Sequence, residues 1–330
     1  MIAEPYTVPD GPAEQLPPAP ARPRWPLATW IIPDGIIALL VTFILSFAVI
    51  IAWIGFQVAG GADLQGLFGP NGTTLPMSLL FGLLAAQNLA FAGVVLLRTR
   101  VLRKLPLHWI GLTAPRPLRL IGWGVLFGLL FVTLNFIVGW IFAYFGIESD
   151  QADLFQLQPG DTVGQALMFI GAVVAAPIGE ELFFRGYIFK ALRENSARRT
   201  IGIIAIQLLL VLGLPILAIV GFGFYTWSDV GLLVVSLAVA LVVSALVPSM
   251  RVRAYLLSSA LFAVVHLGGI TQGAVALLAA TFIGGLCLAG AFDRTQSLLP
   301  SIIAHGINNS IAFGQLLYCV NTYGSVQNCG

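Results

Sequence analysis

Apolar residues in this chain gather into long runs that are hydrophobic on every face, rather than into the stripes of a soluble helix. The runs begin near Gly35, Met77, Ile121, Val163, Ile201, Val230, Ala254, Gly273 and Leu298. Most approach or exceed the roughly 20 residues that a transmembrane helix requires. The sixth and seventh runs are the shortest. Proline and glycine fall mostly between the runs, and no internal repeat is evident. The pattern predicts an all-α polytopic membrane protein with about nine transmembrane helices.

Composition agrees with this reading. Hydrophobic residues make up 58% of the chain and charged residues 9%, with a mean hydropathy of +0.94. Soluble domains carry roughly 25% charged residues. The first 26 residues hold eight prolines and no apolar run, which predicts a disordered Pro-rich cytoplasmic tail over 1–30 and no cleaved signal peptide. The first apolar run then serves as an uncleaved anchor.

Charge placement sets the expected topology. Of the 16 Lys and Arg, all but Arg185 fall near alternate ends of the runs: Arg22 and Arg24; Arg98, Arg100, Arg103, Lys104, Arg116 and Arg119; Lys190, Arg193, Arg198 and Arg199; Arg251 and Arg253; and Arg294. The opposite connections carry Asp63, Glu148, Asp150, Asp153, Asp161 and Asp229. The positive-inside rule makes the basic side cytoplasmic, with the N-terminus inside and the C-terminus outside. The basic loop from Arg98 to Arg119, with His108 and Trp109, is expected on the cytoplasmic membrane surface, where anionic lipid favours it. A net charge of +2, carried in these loops, implies the lipid bilayer as a partner and no nucleic acid. Cys287 lies in an apolar run, whereas Cys319 and Cys329 lie toward the outer tail (319–330), where a disulfide is permitted. No zinc-ribbon spacing is present.

The chemistry concentrates in the fourth run. Glu180 and Glu181 are joined there only by Arg185 among charged residues. Each buried charge costs roughly 2.5–3.5 kcal/mol on insertion scales, so such residues face a protein interior or a wet cavity. Arg185 follows Glu181 by four residues, which stacks the two on one helix face as an ion pair. Glu180 is rotated by about 100° and has no such partner in its own helix. Two of the chain's three histidines, His266 and His305, also lie in apolar runs, and Asn309 follows His305 by one turn. A helical rise of 1.5 Å per residue puts Glu180 about 15 Å above Lys190, His305 about 16 Å above Arg294 and His266 about 20 Å above Arg253. Similar depth predicts one shared site.

A glutamate and a histidine that converge on a water form a general base for hydrolysis. A second histidine and an amide NH₂ supply donors for an oxyanion. Glu180, His266 and His305 also form a donor set of the kind that holds a divalent metal such as zinc, and the sequence leaves both chemistries open. Patterns of other membrane hydrolases, such as H-E-x-x-H, are missing.

The three motifs, E-E-x-x-x-R (Glu180, Glu181, Arg185), F-x-x-x-H (Phe262, His266) and H-x-x-x-N (His305, Asn309), in the settings GEELFFRG and ALFAVVHLGG, resemble those of the CAAX prenyl endopeptidase and bacteriocin-processing (CPBP) family of intramembrane proteases. The resemblance spans about 163–318. It implies that Glu180 and His266 activate water, that His305 and Asn309 hold the oxyanion, and that Glu181, Arg185 and Phe262 support the site. It further implies a peptide or membrane-anchored protein as substrate and a location in a bacterial cell membrane. Accordingly, 31–160 is expected to form N-terminal helices and 161–318 a catalytic membrane domain. An apolar stretch at about 201–247 reads as an additional helical hairpin. Competing readings are a non-proteolytic protein of the same fold, acting in self-immunity or as a scaffold, and a proton-coupled transporter. The lack of repeat symmetry speaks against the transporter.

Overall fold

The computed structural model describes residues 26–61, 77–147, 157, 159–208, 227–267 and 273–324. Asp63, Glu148, Asp150, Asp153, Cys329 and most of the Pro-rich tail lie outside the described residues. Among the described residues there is helix and no strand. A 3₁₀ turn at Leu27–Trp30 leads into α1 (Ile31–Ala59). Next, α2 (Met77–Leu96) continues through a wider π-type segment, Leu97–Leu102. Then come α3 (Pro117–Tyr144), α4 (Thr162–Glu194), α5 (198–208) and α6 (Trp227–Leu246). Finally, α7 (Met250–Val264) ends in a 3₁₀ turn at Val265–Leu267, ahead of α8 (Ala274–Thr295) and α9 (Leu298–Tyr323).

Five segments among the described residues are long and apolar enough to cross a membrane: Leu27–Ala59, Met77–Leu102, Pro117–Tyr144, Thr162–Glu194 and Ala274–Thr295. With 15 residues, α7 is short for a span, and α9, at 26 residues, is diluted by His305, Asn308, Asn309 and Gln315. The protein is an integral membrane protein. Large apolar side chains such as Phe43, Phe47 and Phe56 on α1 and Leu118 and Trp140 on α3 point away from the bundle. Such a surface matches acyl chains rather than water.

Local sequence sets the helix starts. Pro117 opens α3, where its missing N–H costs nothing. Asp161 caps α4 by accepting from the Gly164 N–H at 2.9 Å, and Ser249 and Ser297 cap α7 and α9. The inner half of α4 is the axis of the fold: every residue from Gly179 to Phe189 is buried. It is enclosed by α2, α7, α8 and α9. Apart from Glu180, Glu181 and Arg185, this stretch is apolar on all faces, as such a position requires.

The basic ends of the helices meet at one end of the bundle. Trp109 Nε1 donates to Glu194 Oε1 (2.8 Å), Lys190 Nζ to Gln296 Oε1 (3.0 Å), Arg251 Nε to Asp293 Oδ2 (2.6 Å) and the Leu298 N–H to the Gly111 carbonyl (2.9 Å). Not all the arginines are loop residues, however. Arg98 and Arg100 belong to the π-type extension of α2. Arg253 is buried in α7, donating to the carbonyls of Val247 and Ser196 (both 2.7 Å). At the same end, Asp34 is buried in α1, accepts from Arg98 Nε at 2.7 Å and from Tyr187 Oη, and thereby ties α1 to α2 and α4. Arg98 also lies 4.3 Å over the Trp30 ring. An apolar run that starts at Gly35 leaves Asp34 outside the helix, so the sequence pattern does not reveal this cluster.

Candidate active site

Glu180 and Glu181 sit on the short regular segment Ala176–Glu181 of α4, between two wide-turn segments, Ile170–Ala175 and Leu182–Phe189. Wide π turns inside an α-helix recur at functional sites, because they rotate neighbouring side chains out of the usual register. Pro177 does not break the helix. Gly179 brings α2 onto the α4 backbone next to Glu180: a Cβ there would stand 2.3 Å from Asn88 Oδ1 and 2.7 Å from Asn88 Cβ.

The two adjacent carboxylates have different surroundings. Glu181 is fully buried, and its Oε1 accepts from Arg185 Nη1 (2.9 Å), the ion pair expected from their spacing. The same oxygen lies 2.9 Å from His305 Nδ1. Arg185 is 1% exposed, donates from Nη2 to the Gly285 carbonyl (3.3 Å), and rests 4.2 Å over the Phe262 ring. Gly285 permits this by bringing the α8 backbone against α7, since a Cβ there would stand 2.8 Å from Ser259 Cβ.

Glu180 turns the other way. Its Oε2 lies 3.7 Å from His266 Nε2 and 3.9 Å from His305 Nε2. Both separations exceed a direct hydrogen bond and fall within what one bridging water spans. That carboxylate oxygen is buried without a hydrogen-bond partner among the described residues. His266 Nδ1 lies 2.7 Å from the Phe262 carbonyl. A carbonyl only accepts, so Nδ1 donates to it, and the ring turns its Nε2 toward Glu180. The Phe262 ring packs against both imidazoles, with centroids 4.6 Å from His266 and 5.8 Å from His305.

One turn beyond His305, the half-buried Asn309 donates from Nδ2 to the Ala172 carbonyl (2.8 Å) and accepts from Asn308 Nδ2 (3.3 Å). Thus the structure gathers Glu180, Glu181, Arg185, Phe262, His266 and His305 around one point, with Asn309 one turn further along α9. His108 is exposed, in the 3₁₀ turn Leu107–Ile110 ahead of α3, and makes none of these contacts. The sequence reading separates the carboxylates, one for Arg185 and one for the histidines; in the structure His305 faces both. No local spacing could show this, because the two residues lie 124 positions apart.

Among the described residues, no group of three or more His, Cys, Asp or Glu has the arrangement of a metal site. Glu180, His266 and His305 have suitable donor chemistry but not ligand spacing. Cys319 is disulfide-bonded and Cys287 is a free, buried thiol.

Residues 162–247 and 239–311 match the family model described as type II CAAX prenyl endopeptidase Rce1-like. The two matched segments overlap within α6 and together contain all three motifs. No curated protein and no solved structure matches the chain.

Proposed function

We propose that this chain, which carries a type II CAAX prenyl endopeptidase Rce1-like domain, is an endopeptidase that hydrolyses a peptide bond of a membrane-associated protein within the bilayer. The observation that carries this reading is the buried Glu180 Oε2, 3.7 and 3.9 Å from two imidazole nitrogens on separate helices. Glu180 Oε2 and His266 Nε2 face each other across a gap that one water spans, and both contact that water. Proton transfer from that water to Glu180 generates the nucleophile, whose oxygen bonds to the scissile carbonyl carbon; Glu180 then returns the proton to the peptide nitrogen as the C–N bond breaks. His305, held by Glu181 at Nδ1, donates from Nε2 to the developing oxyanion when its ring carries both protons. The second N–H of the Asn309 amide completes the oxyanion donors. Glu181 and Arg185 fix the His305 ring and take no part in bond making.

The substrate class follows from the site's position. Glu180 lies within a span and is 7% exposed, so the scissile bond must come to it through the membrane. The name of the matched family points to prenylated protein C-termini. The experiment is cleavage of a membrane-peptide library by the purified full chain in lipid nanodiscs, with chelator present and absent. Glu180→Gln and His266→Ala should each lower kcat/KM about 10²–10⁴-fold. Cleavage by Glu180→Gln at the wild-type rate would refute the assignment.

A further inference from the structure

Although α3 lies outside the matched residues 162–311, it reaches the site. Gly124, Gly128, Phe131 and Asn135 recur at i, i+4, i+7 and i+11, the spacing of one helix face. At the two glycines α3 closes on α9: a Cβ on Gly124 would stand 2.7 Å from Ile303 Cβ, and one on Gly128 2.9 Å from Ile307 Cδ1. Asn135 continues this face and donates from Nδ2 to Asn308 Oδ1 at 2.9 Å. Asn308 Nδ2 donates to Asn309 Oδ1 at 3.3 Å, and Asn309 Nδ2 donates to the Ala172 carbonyl at 2.8 Å. Three amides thus form one directed chain from α3 through α9 to α4.

Its direction is set at the far end. A carbonyl accepts only, so Asn309 must turn its NH₂ to Ala172 and its Oδ1 to Asn308. The Ala172 carbonyl needs this donor for a reason present in the sequence. In the wide segment Ile170–Ala175, the Ala176 N–H bonds to the Gly171 carbonyl, five residues back. The next pair in that register would join the Ala172 carbonyl to the N–H of residue 177. That residue is Pro177, which has none. Asn309 supplies one amide hydrogen to Ala172, and the other remains for the site. At the near end, Asn135 Oδ1 is buried with no hydrogen-bond partner among the described residues. A side chain kept there for packing alone would be favoured as leucine, since an orphaned buried acceptor is costly.

We propose that Asn135 is a positioning residue for the hydrolytic reaction: acting through Asn308, it holds the Asn309 amide in the orientation that presents its free N–H to the oxyanion. This rests on the oxyanion role assigned to Asn309 above. Removing an oxyanion donor outright costs about 10²–10³ in kcat, and misorienting one costs less.

The test is steady-state cleavage by the purified full chain in nanodiscs, with thermal unfolding of each variant measured in parallel. Asn135→Leu should lower kcat about tenfold with KM within about twofold, the signature of an interaction made in the transition state. Asn135→Gln keeps a donor and should recover part of that loss. In an Asn309→Ala background, Asn135→Leu should have no further effect. If Asn135→Leu does not fold, Asn308→Ala is read in the same way from α9. Wild-type kcat in the Asn135→Leu and Asn308→Ala variants, with cleavage still dependent on Glu180, would overturn this proposal alone. A kcat loss that persists in the Asn309→Ala background would assign Asn135 to packing and also overturn it. Absence of any Glu180-dependent cleavage would overturn it together with the proposed function.

Discussion

At the scale of single residues, the site is organised by how it disposes of buried charge. Glu181 and Arg185 are 0% and 1% exposed and hydrogen-bonded to each other, with His305, the Gly285 carbonyl and the Phe262 face completing their surroundings. Such a pair offers little net stability over apolar residues of similar shape, but breaking it is costly because one charge is left buried alone. Arg185→Met should therefore destabilise the folded protein by about 3–5 kcal/mol, measured by denaturant unfolding in micelles. Adding Glu181→Gln to that variant should cost less than the two single losses summed, because the double variant no longer buries an orphaned ion. The pairing itself was legible in the sequence, since residues four apart on a helix meet by geometry. The bond from Glu181 to His305 was not, because helix α9 arrives from a distant part of the chain.

At the scale of helices, close approach is controlled by small residues on α4, α3 and α8. Gly179 is the sharpest case, since the Asn88 Cβ that a new methyl would meet at 2.7 Å is fixed to the α2 backbone. Relief requires α2 or α4 to move, and Glu180 moves with α4. Gly179→Ala should cost about 1–3 kcal/mol of stability, as overpacking does, and should lower kcat/KM at least tenfold. Gly139→Ala, on an open stretch of α3 with nothing within 4 Å, should leave both quantities near wild type. Measuring melting and cleavage for the two variants side by side separates loss of geometry from a general glycine effect. The wide turns that flank Glu180 and Glu181 belong to this scale too. Pro177 has no N–H to offer the Ala172 carbonyl, and where that carbonyl finds its donor depends on Asn309 in α9.

At the scale of the whole molecule, the connections that hold most of the basic residues converge at one end, through Trp109–Glu194, Lys190–Gln296, Arg251–Asp293 and Arg253–Ser196. We take that end as cytoplasmic, on the positive-inside rule. In intact cells, after replacement of Cys287, Cys319 and Cys329, a membrane-impermeant maleimide should spare Lys104→Cys and label Gly160→Cys; the reverse pattern would invert the topology. What the sequence determined by itself is what is local along the chain. Hydropathy summed over a run, the alternation of basic ends and the i, i+4 pairing of Glu181 with Arg185 require no knowledge of neighbouring helices. Tertiary structure alone decided how each helix is rotated about its axis and which partner it meets. That rotation turns Glu180 toward two histidines, ties Asp34 to Arg98 and Tyr187, and brings Asn135 into line with Asn308. The physical reason is that a helix buried on all faces has no polar stripe to announce its orientation. Its orientation is chosen by the glycines that permit approach and by the few polar groups that must find partners in an apolar interior.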